Sequence, residues 1–188
     1  MKATIAICCL ATALLPEFLA AGEPDAQGEA QAAIAAFAGA LKTELTAAMQ
    51  AGGPVNAIEV CNERAPAIAA SLSADNGMTL SRVSLRYRNP ENAPNEWQTA
   101  VLNDFESRRA AGEDAGMLSW QAVAETQAGQ EFRFMKAIPT GSLCLACHGQ
   151  SIAPPVAAKI SELYPDDRAT GFREGDIRGA FVVTKAMK

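Results

Sequence analysis

Residues 117–138 read MLSWQAVAETQAGQEFRFMKAI, and apolar and polar positions alternate along most of this stretch. From Met117 to Glu125 the period of two puts Leu118, Trp120 and Ala122 on one side. From Glu131 to Ile138 it does the same for Phe132 and Phe134. Such alternation is the pattern of half-buried strands, and Gln127-Ala128-Gly129-Gln130 between the runs has the composition of a hairpin turn.

Working upstream, the period changes. Ile34, Phe37, Leu41, Leu45 and Met49 step by three and four from Ala26 to Gln50, one face of a helix that Ala51-Gly52-Gly53 should stop. Pro54 suits the first turn of a second helix, with Ile58, Cys61, Ala65, Ile68 and Leu72 along its buried stripe. Arg82 to Tyr87 alternates again and predicts a strand burying Val83, Leu85 and Tyr87, ended by Asn89-Pro90; a helix follows between Asn95 and Arg109. Downstream of the hairpin come a cysteine-containing loop, a short helix from Pro155 to Leu163 and a Gly- and Asp-rich loop from Tyr164 to Gly175. A last strand from Ile177 to Thr184 should place Ile177, Phe181 and Val183 on one face. The chain therefore reads as one α+β domain over residues 26–188, an antiparallel sheet preceded by two helices.

The composition excludes several classes of function. At 188 residues, 49% hydrophobic and 20% charged, the chain has the size and balance of one soluble domain. A net charge of -5 and a pI near 5.0 leave no basic surface for nucleic acid. Five cysteines accompany a single histidine, His148, which excludes chemistry built on several imidazoles.

Residues 1–21 read as a secretory signal peptide: Met1-Lys2, an uncharged apolar run from Ala3 to Leu15, and small residues Ala20-Ala21 before a polar stretch. The run is too short for a stable membrane span, and lipidation at Cys8 or Cys9 is disfavoured by the isoleucines before them. Cleavage would send the chain to the periplasm and leave three cysteines, Cys61, Cys144 and Cys147.

Cys144-Leu145-Ala146-Cys147-His148 is C-x-x-C-H, the attachment site of haem c. Each thiol can add across a porphyrin vinyl group, and the adjacent imidazole is then placed to ligate the iron. Two other readings compete. A Cys144–Cys147 disulfide lacks the strand-to-helix context of redox C-x-x-C motifs. A zinc held by three cysteines and His148 would need two sequence neighbours on one tetrahedral ion. With His148 used, a second axial ligand must come from Met49, Met78, Met117, Met135, Met187, Cys61, a Lys or Tyr, or water. Periodicity leaves Cys61 open between ligand and small core residue. Arg64, Arg82, Arg86 and Arg88 are candidates for pairing haem propionates, since guanidinium suits carboxylate. Asp166, Asp167, Glu174 and Asp176 fit turn geometry and receive no ligand role.

Four blocks of the sequence carry a resemblance: Cys61-Asn62-Glu63-Arg64-Ala65-Pro66, the run from Arg82 to Pro90, Cys144 to Gly149, and Tyr164-Pro165-Asp166-Asp167 with Gly171-Phe172 and Gly175 to Ala180. In order and over most of the chain, they resemble a bacterial family long catalogued as a domain of unknown function. Its characterised type is a c-type haem protein with a PAS-like fold, proposed as a redox sensor. The resemblance implies a PAS-like antiparallel sheet, a covalent haem c, and Cys61 and His148 as the two axial ligands of its iron.

The functional expectation is an exported monohaem c-type cytochrome that senses redox state or a small gas ligand, with a periplasmic redox or signalling partner. The alternative is a simple periplasmic electron carrier. An enzyme of peroxidase type would need a distal acid or base that this sequence, its one histidine committed, does not offer.

Overall fold

Along the chain of the computed structural model, which describes residues 25–187, the elements are α1 (Ala26–Asn76), β1 (Thr79–Val83), α2 (Glu96–Ala110), β2 (Ser119–Thr126), β3 (Gly129–Pro139), α3 (Leu145–His148), α4 (Pro154–Leu163) and β4 (Ile177–Ala186). The signal peptide read over residues 1–21 lies outside the described residues. The strands form one antiparallel sheet in the order β1-β4-β3-β2, so the fold is the expected α+β arrangement of an open sheet with N-terminal helices.

The hairpin of β2 and β3 forms where the alternation predicts it, with Thr126 opposite Gly129 and a tighter turn than four residues. Gly129 has φ of 108°, a backbone angle that side chains disfavour, and the Thr126 hydroxyl donates to its carbonyl at 2.7 Å. Both faces of the sheet are covered. On one face Val101, Leu102 and Phe105 of α2 pack on Leu118, Met135, Ala137 and Val182. On the other, Ala30, Ile34 and Phe37 of α1 pack on Leu80, Phe132, Phe134 and Val183. α2 starts at a capping box in which the Asn95 side chain accepts from the Gln98 N–H and the Gln98 side chain accepts from the Asn95 N–H.

The two N-terminal helices are two limbs of α1. Gly52 (φ −154°, ψ 16°) and Gly53 (φ 68°, ψ −163°) break the helical geometry between them without ending the element, and Pro54 begins the second limb. The first limb lies on the sheet. The second packs its Ile58 against Val156, Ile160 and Tyr164, which brings α4 and the chain after it alongside.

Two strand readings are corrected. β1 covers Thr79–Val83 rather than Arg82 to Tyr87. The alternation continues past the strand, but the Ser84 hydroxyl accepts the Arg86 N–H at 3.1 Å and donates to the Arg178 carbonyl at 2.8 Å. A side chain that captures its own backbone in this way turns the chain. Leu85 is consequently exposed, whereas Ser84 and Arg88 are buried.

In β4, Ile177 joins the α2 face with Ala180 and Val182, while Phe181 and Val183 face α1. Ile138 pairs with Gly179 and Pro139 with Ile177, so Arg178 is left without a partner in the register. This bulge inverts the facing of everything before it. Gly179, at φ 155°, allows it: a Cβ there would stand 2.3 Å from the Val83 carbonyl oxygen.

Candidate haem site

The C-x-x-C-H motif lies on a turn of helix rather than in a loop. Ser142–Cys144 forms a 3-10 turn that runs into α3, which ends at His148. Helical backbone carries residues three apart on one side, which is what two thiols reaching one flat molecule require.

Three contacts fix this turn. Gly149 bridges Phe172, whose N–H donates to the His148 carbonyl at 2.9 Å, while the Gly171 N–H donates to the Gly149 carbonyl at 2.8 Å. Arg88 contributes Nε to Asp167 Oδ1 at 3.0 Å and a terminal nitrogen to Asp167 Oδ2 at 3.3 Å, and also donates to the Cys147 carbonyl at 2.6 Å. His148 Nδ1 lies 2.7 Å from the Ala169 carbonyl. That carbonyl only accepts, so Nδ1 carries the proton and the lone pair of Nε2 is left for another partner, as in metal-binding histidines. The Arg178 Nε–H donates toward His148 Nε2 at 3.5 Å.

The second limb of α1 faces this turn. Cys61 is half-buried, its sulfur within electrostatic reach of Cys144, Arg82, Arg88 and Arg178. Burial pushes the Cys61 thiol up, against the pull of the three guanidiniums, and burial does the same to Cys147. Burial holds His148 well below the usual imidazole range, reinforced by the charges of Arg178 and Arg88 and opposed by the Ala169 carbonyl. Tyr164, buried beside Arg88, is pushed up to about 12, mainly by desolvation.

Cys61, Cys144 and Cys147 are all free thiols. The sulfurs of Cys61 and Cys147 lie within electrostatic reach of each other and of Cys144. Of the alternative second ligands, Met78 and Met135 are consumed in the two sheet cores, and Met117 and Met187 are exposed. Among the arginines, Arg64 pairs with Glu44 on the surface of α1. Arg86 donates to the Thr170 carbonyl and covers the Phe172 ring at 3.9 Å. Asp167 and Asp176 are taken by Arg88 and Arg109, so the acidic loop serves ion pairs, and the described residues include no cluster suited to a metal ion.

Arg178 is the site residue that the sequence reading passed over. Its alternation looked like that of any outward strand position; the following Gly179 was the available sign of a bulge.

The donor chemistry fits an iron porphyrin: two thiols on one side of a helical turn, an imidazole presenting Nε2, a third thiol on the facing helix, and buried cations. The α+β fold and this site define a small domain organised around a haem-attachment motif. A family model described as Tll0287-like matches residues 21–185, and the chain belongs to that family. Among solved structures it is similar to the cyanobacterial heme-protein Tll0287, with 26% identity and a TM-score of 0.66 over 88% of this chain and 98% of that one. No curated protein matches.

Proposed function

We propose that this chain is an exported monohaem c-type cytochrome that acts as a redox or small-ligand sensor. The observation that carries this reading is that the second limb of α1 packs Ile58 and Val55 beside Cys147, with the Cys61 sulfur of the same limb within electrostatic reach of Cys144 and Cys147. The cyanobacterial relative's description as a heme-protein supports it. A bound haem would supply a one-electron ferric/ferrous couple. Cys144 and Cys147 would hold it through thioethers, each sulfur adding to a vinyl carbon with the thiol hydrogen passing to the neighbouring carbon. His148, oriented by Ala169, and Cys61 would be the residues that ligate its iron.

Sensing is favoured over electron transfer because Cys61 belongs to the limb beyond the Gly52-Gly53 break. A thiolate ligand stabilises ferric iron, so its loss on reduction would free that limb to move. A carrier would keep both ligands in both states. Export rests on residues 1–21 and is tested by N-terminal sequencing of the periplasmic fraction.

Mass spectrometry of protein matured with haem-attachment machinery should show one covalent haem; its absence overturns the reading. In Cys61→Ala the ferric low-spin spectrum should be lost, and an unchanged electron paramagnetic resonance signal would remove Cys61 from the iron. Redox titration with spectra of both states then separates sensor from carrier.

A further inference from the structure

Three guanidiniums act electrostatically on both Cys61 and His148, those of Arg82, Arg88 and Arg178; Arg88 donates to the Cys147 carbonyl at 2.6 Å and Arg178 to His148 Nε2 at 3.5 Å. They arrive from three parts of the fold: Arg82 from β1, Arg88 from the turn after it, and Arg178 from the bulge in β4. Each acts electrostatically on Cys61 and on His148, and Arg178 is repelled by both of the others. Only Arg88 is ion-paired, with the nearly inaccessible Asp167, which acts on Arg178 without contacting it.

The other two are unbalanced. Arg178 donates to neutral acceptors only, the Ser84 hydroxyl at 3.2 Å, the Arg86 carbonyl at 3.2 Å and His148 Nε2 at 3.5 Å, and stands 5.3 Å from the Phe172 ring centre. Arg82 lies over the Phe37 ring at 5.4 Å and has no hydrogen-bond acceptor among the described residues. Desolvation draws both below the ordinary arginine range, Arg178 to about 10 with help from its cationic neighbours. Withdrawn charges of one sign are expensive unless a counter-charge is supplied. After Arg88 and Asp167 cancel, the surplus is two positive charges.

We propose that Arg82 and Arg178 bind the two propionates of the haem. The inference rests on the haem reading above and assigns partners to the two carboxylates that the haem would bring. The charges match. Ferric iron, the doubly negative porphyrin ring and one thiolate sum to zero, which leaves the two propionates as the net charge of the bound group. Two guanidiniums, each able to grip a carboxylate with paired N–H donors, neutralise them. The arrangement also accounts for the bulge at Arg178, without which the strand would carry this side chain in register with β3 rather than beside His148.

The test uses holoprotein matured with haem-attachment machinery: wild type, Arg82→Gln, Arg178→Gln, the corresponding Lys variants, and Arg108→Gln, a surface residue paired with Glu113, as control. Covalent haem by mass checks the haem reading separately; its absence from wild type overturns both readings. In each Gln variant, losing one buried cation beside the bound haem should shift the ferric/ferrous equilibrium roughly tenfold toward ferric, a potential about 59 mV lower. Lys should restore most of the shift, and Arg108→Gln should show none.

Potentials in both Gln variants equal to wild type would overturn the proposal. So would an Arg82→Gln effect that vanishes in a Cys61→Ala background, because the guanidinium would then serve the sulfur. If the Gln variants fail to accumulate, the wild type decides. With the propionate carboxylates labelled with carbon-13, paired propionates should show no titration between pH 5 and 8, and free titration would overturn the assignment.

Discussion

Among the described residues, eleven buried ones close the α2 side of the sheet and eight close the α1 side, whereas four, Ile58, Val156, Ile160 and Tyr164, form the cluster beside the cysteine motif. Apolar packing can hold the sheet; it cannot by itself hold the motif turn. There the work falls to directional contacts: Arg88 on Asp167 and the Cys147 carbonyl, Ala169 on His148, Phe172 on the His148 carbonyl. A surface that must meet a large planar group has to leave apolar area unpaired in the protein itself. The polar clamps then keep the thiols and the imidazole in place. The stability of the domain and the geometry of the site are thus carried by different forces in neighbouring regions.

Removing a sheet-core side chain should have the largest effect. Phe105 is completely buried between α2 and the sheet, and Phe105→Ala should cost about 3–5 kcal/mol in urea unfolding. Asp167→Asn attacks the other region. Its ion pair with Arg88 leaves each side chain about one-tenth exposed, and breaking such a pair costs of order 3–5 kcal/mol. The lower end, about 3 kcal/mol, is expected because Arg88 keeps the Cys147 and Ala169 carbonyls as acceptors. The division between the regions predicts more than a stability loss here: Asp167→Asn should reduce the yield of covalent haem, and Phe105→Ala protein that has folded should not. Equal haem yields from the two folded variants would break the comparison.

Gly179 stands where the regions meet. An alanine there would carry a Cβ against the Val83 carbonyl in a backbone conformation unsuited to it, and neither neighbour is a flexible side-chain end. Gly179→Ala should cost about 1–3 kcal/mol, read as a lower urea midpoint. Because relief of the clash would move the bulge, the ferric spectrum should broaden if Arg178 positions the group that His148 faces.

What could be read from the sequence follows the range of the interactions. The motif was legible because its chemistry is local, with Cys144, Cys147 and His148 within five residues. The hairpin was legible because alternation is local too. Cys61 was placed on a buried helix stripe by periodicity, but its facing partner came only from the resemblance and then from the fold. The end of β1 was missed because one hydroxyl, Ser84, intercepts the backbone while the apolar alternation continues through Leu85 and Tyr87. The arginines could not be told apart for a related reason. Arg82, Arg86 and Arg88 look equivalent in a strand that continues, but the turn pairs Arg88 with Asp167 and lays Arg86 over Phe172, while Arg82 stays on the strand without a carboxylate. Arg178 depended on a register shift between two strands, which no single strand displays.

The smallest effect tests whether the α2 side is as free of electrostatic control as its packing suggests. Glu106 on α2 has its carboxyl raised above the usual range, mainly by partial burial, with Arg109 and Arg86 pulling it down and Asp176 pushing it up. A carboxyl whose folded pKa is raised favours the fold most when protonated. Its contribution is fully present below the unfolded value near 4.5 and is lost as pH rises through the folded value. Above that, Glu106→Gln should therefore be slightly more stable than wild type. Because the side chain remains largely in water, the gain should be about 0.5 kcal/mol or less. Urea midpoints at pH 4 and pH 7 should show the variant's advantage only at the higher pH. A loss of stability at pH 7 would mean that Arg109 and Arg86 use the carboxylate as a structural partner, and that the α2 face, like the motif, is held partly by charge.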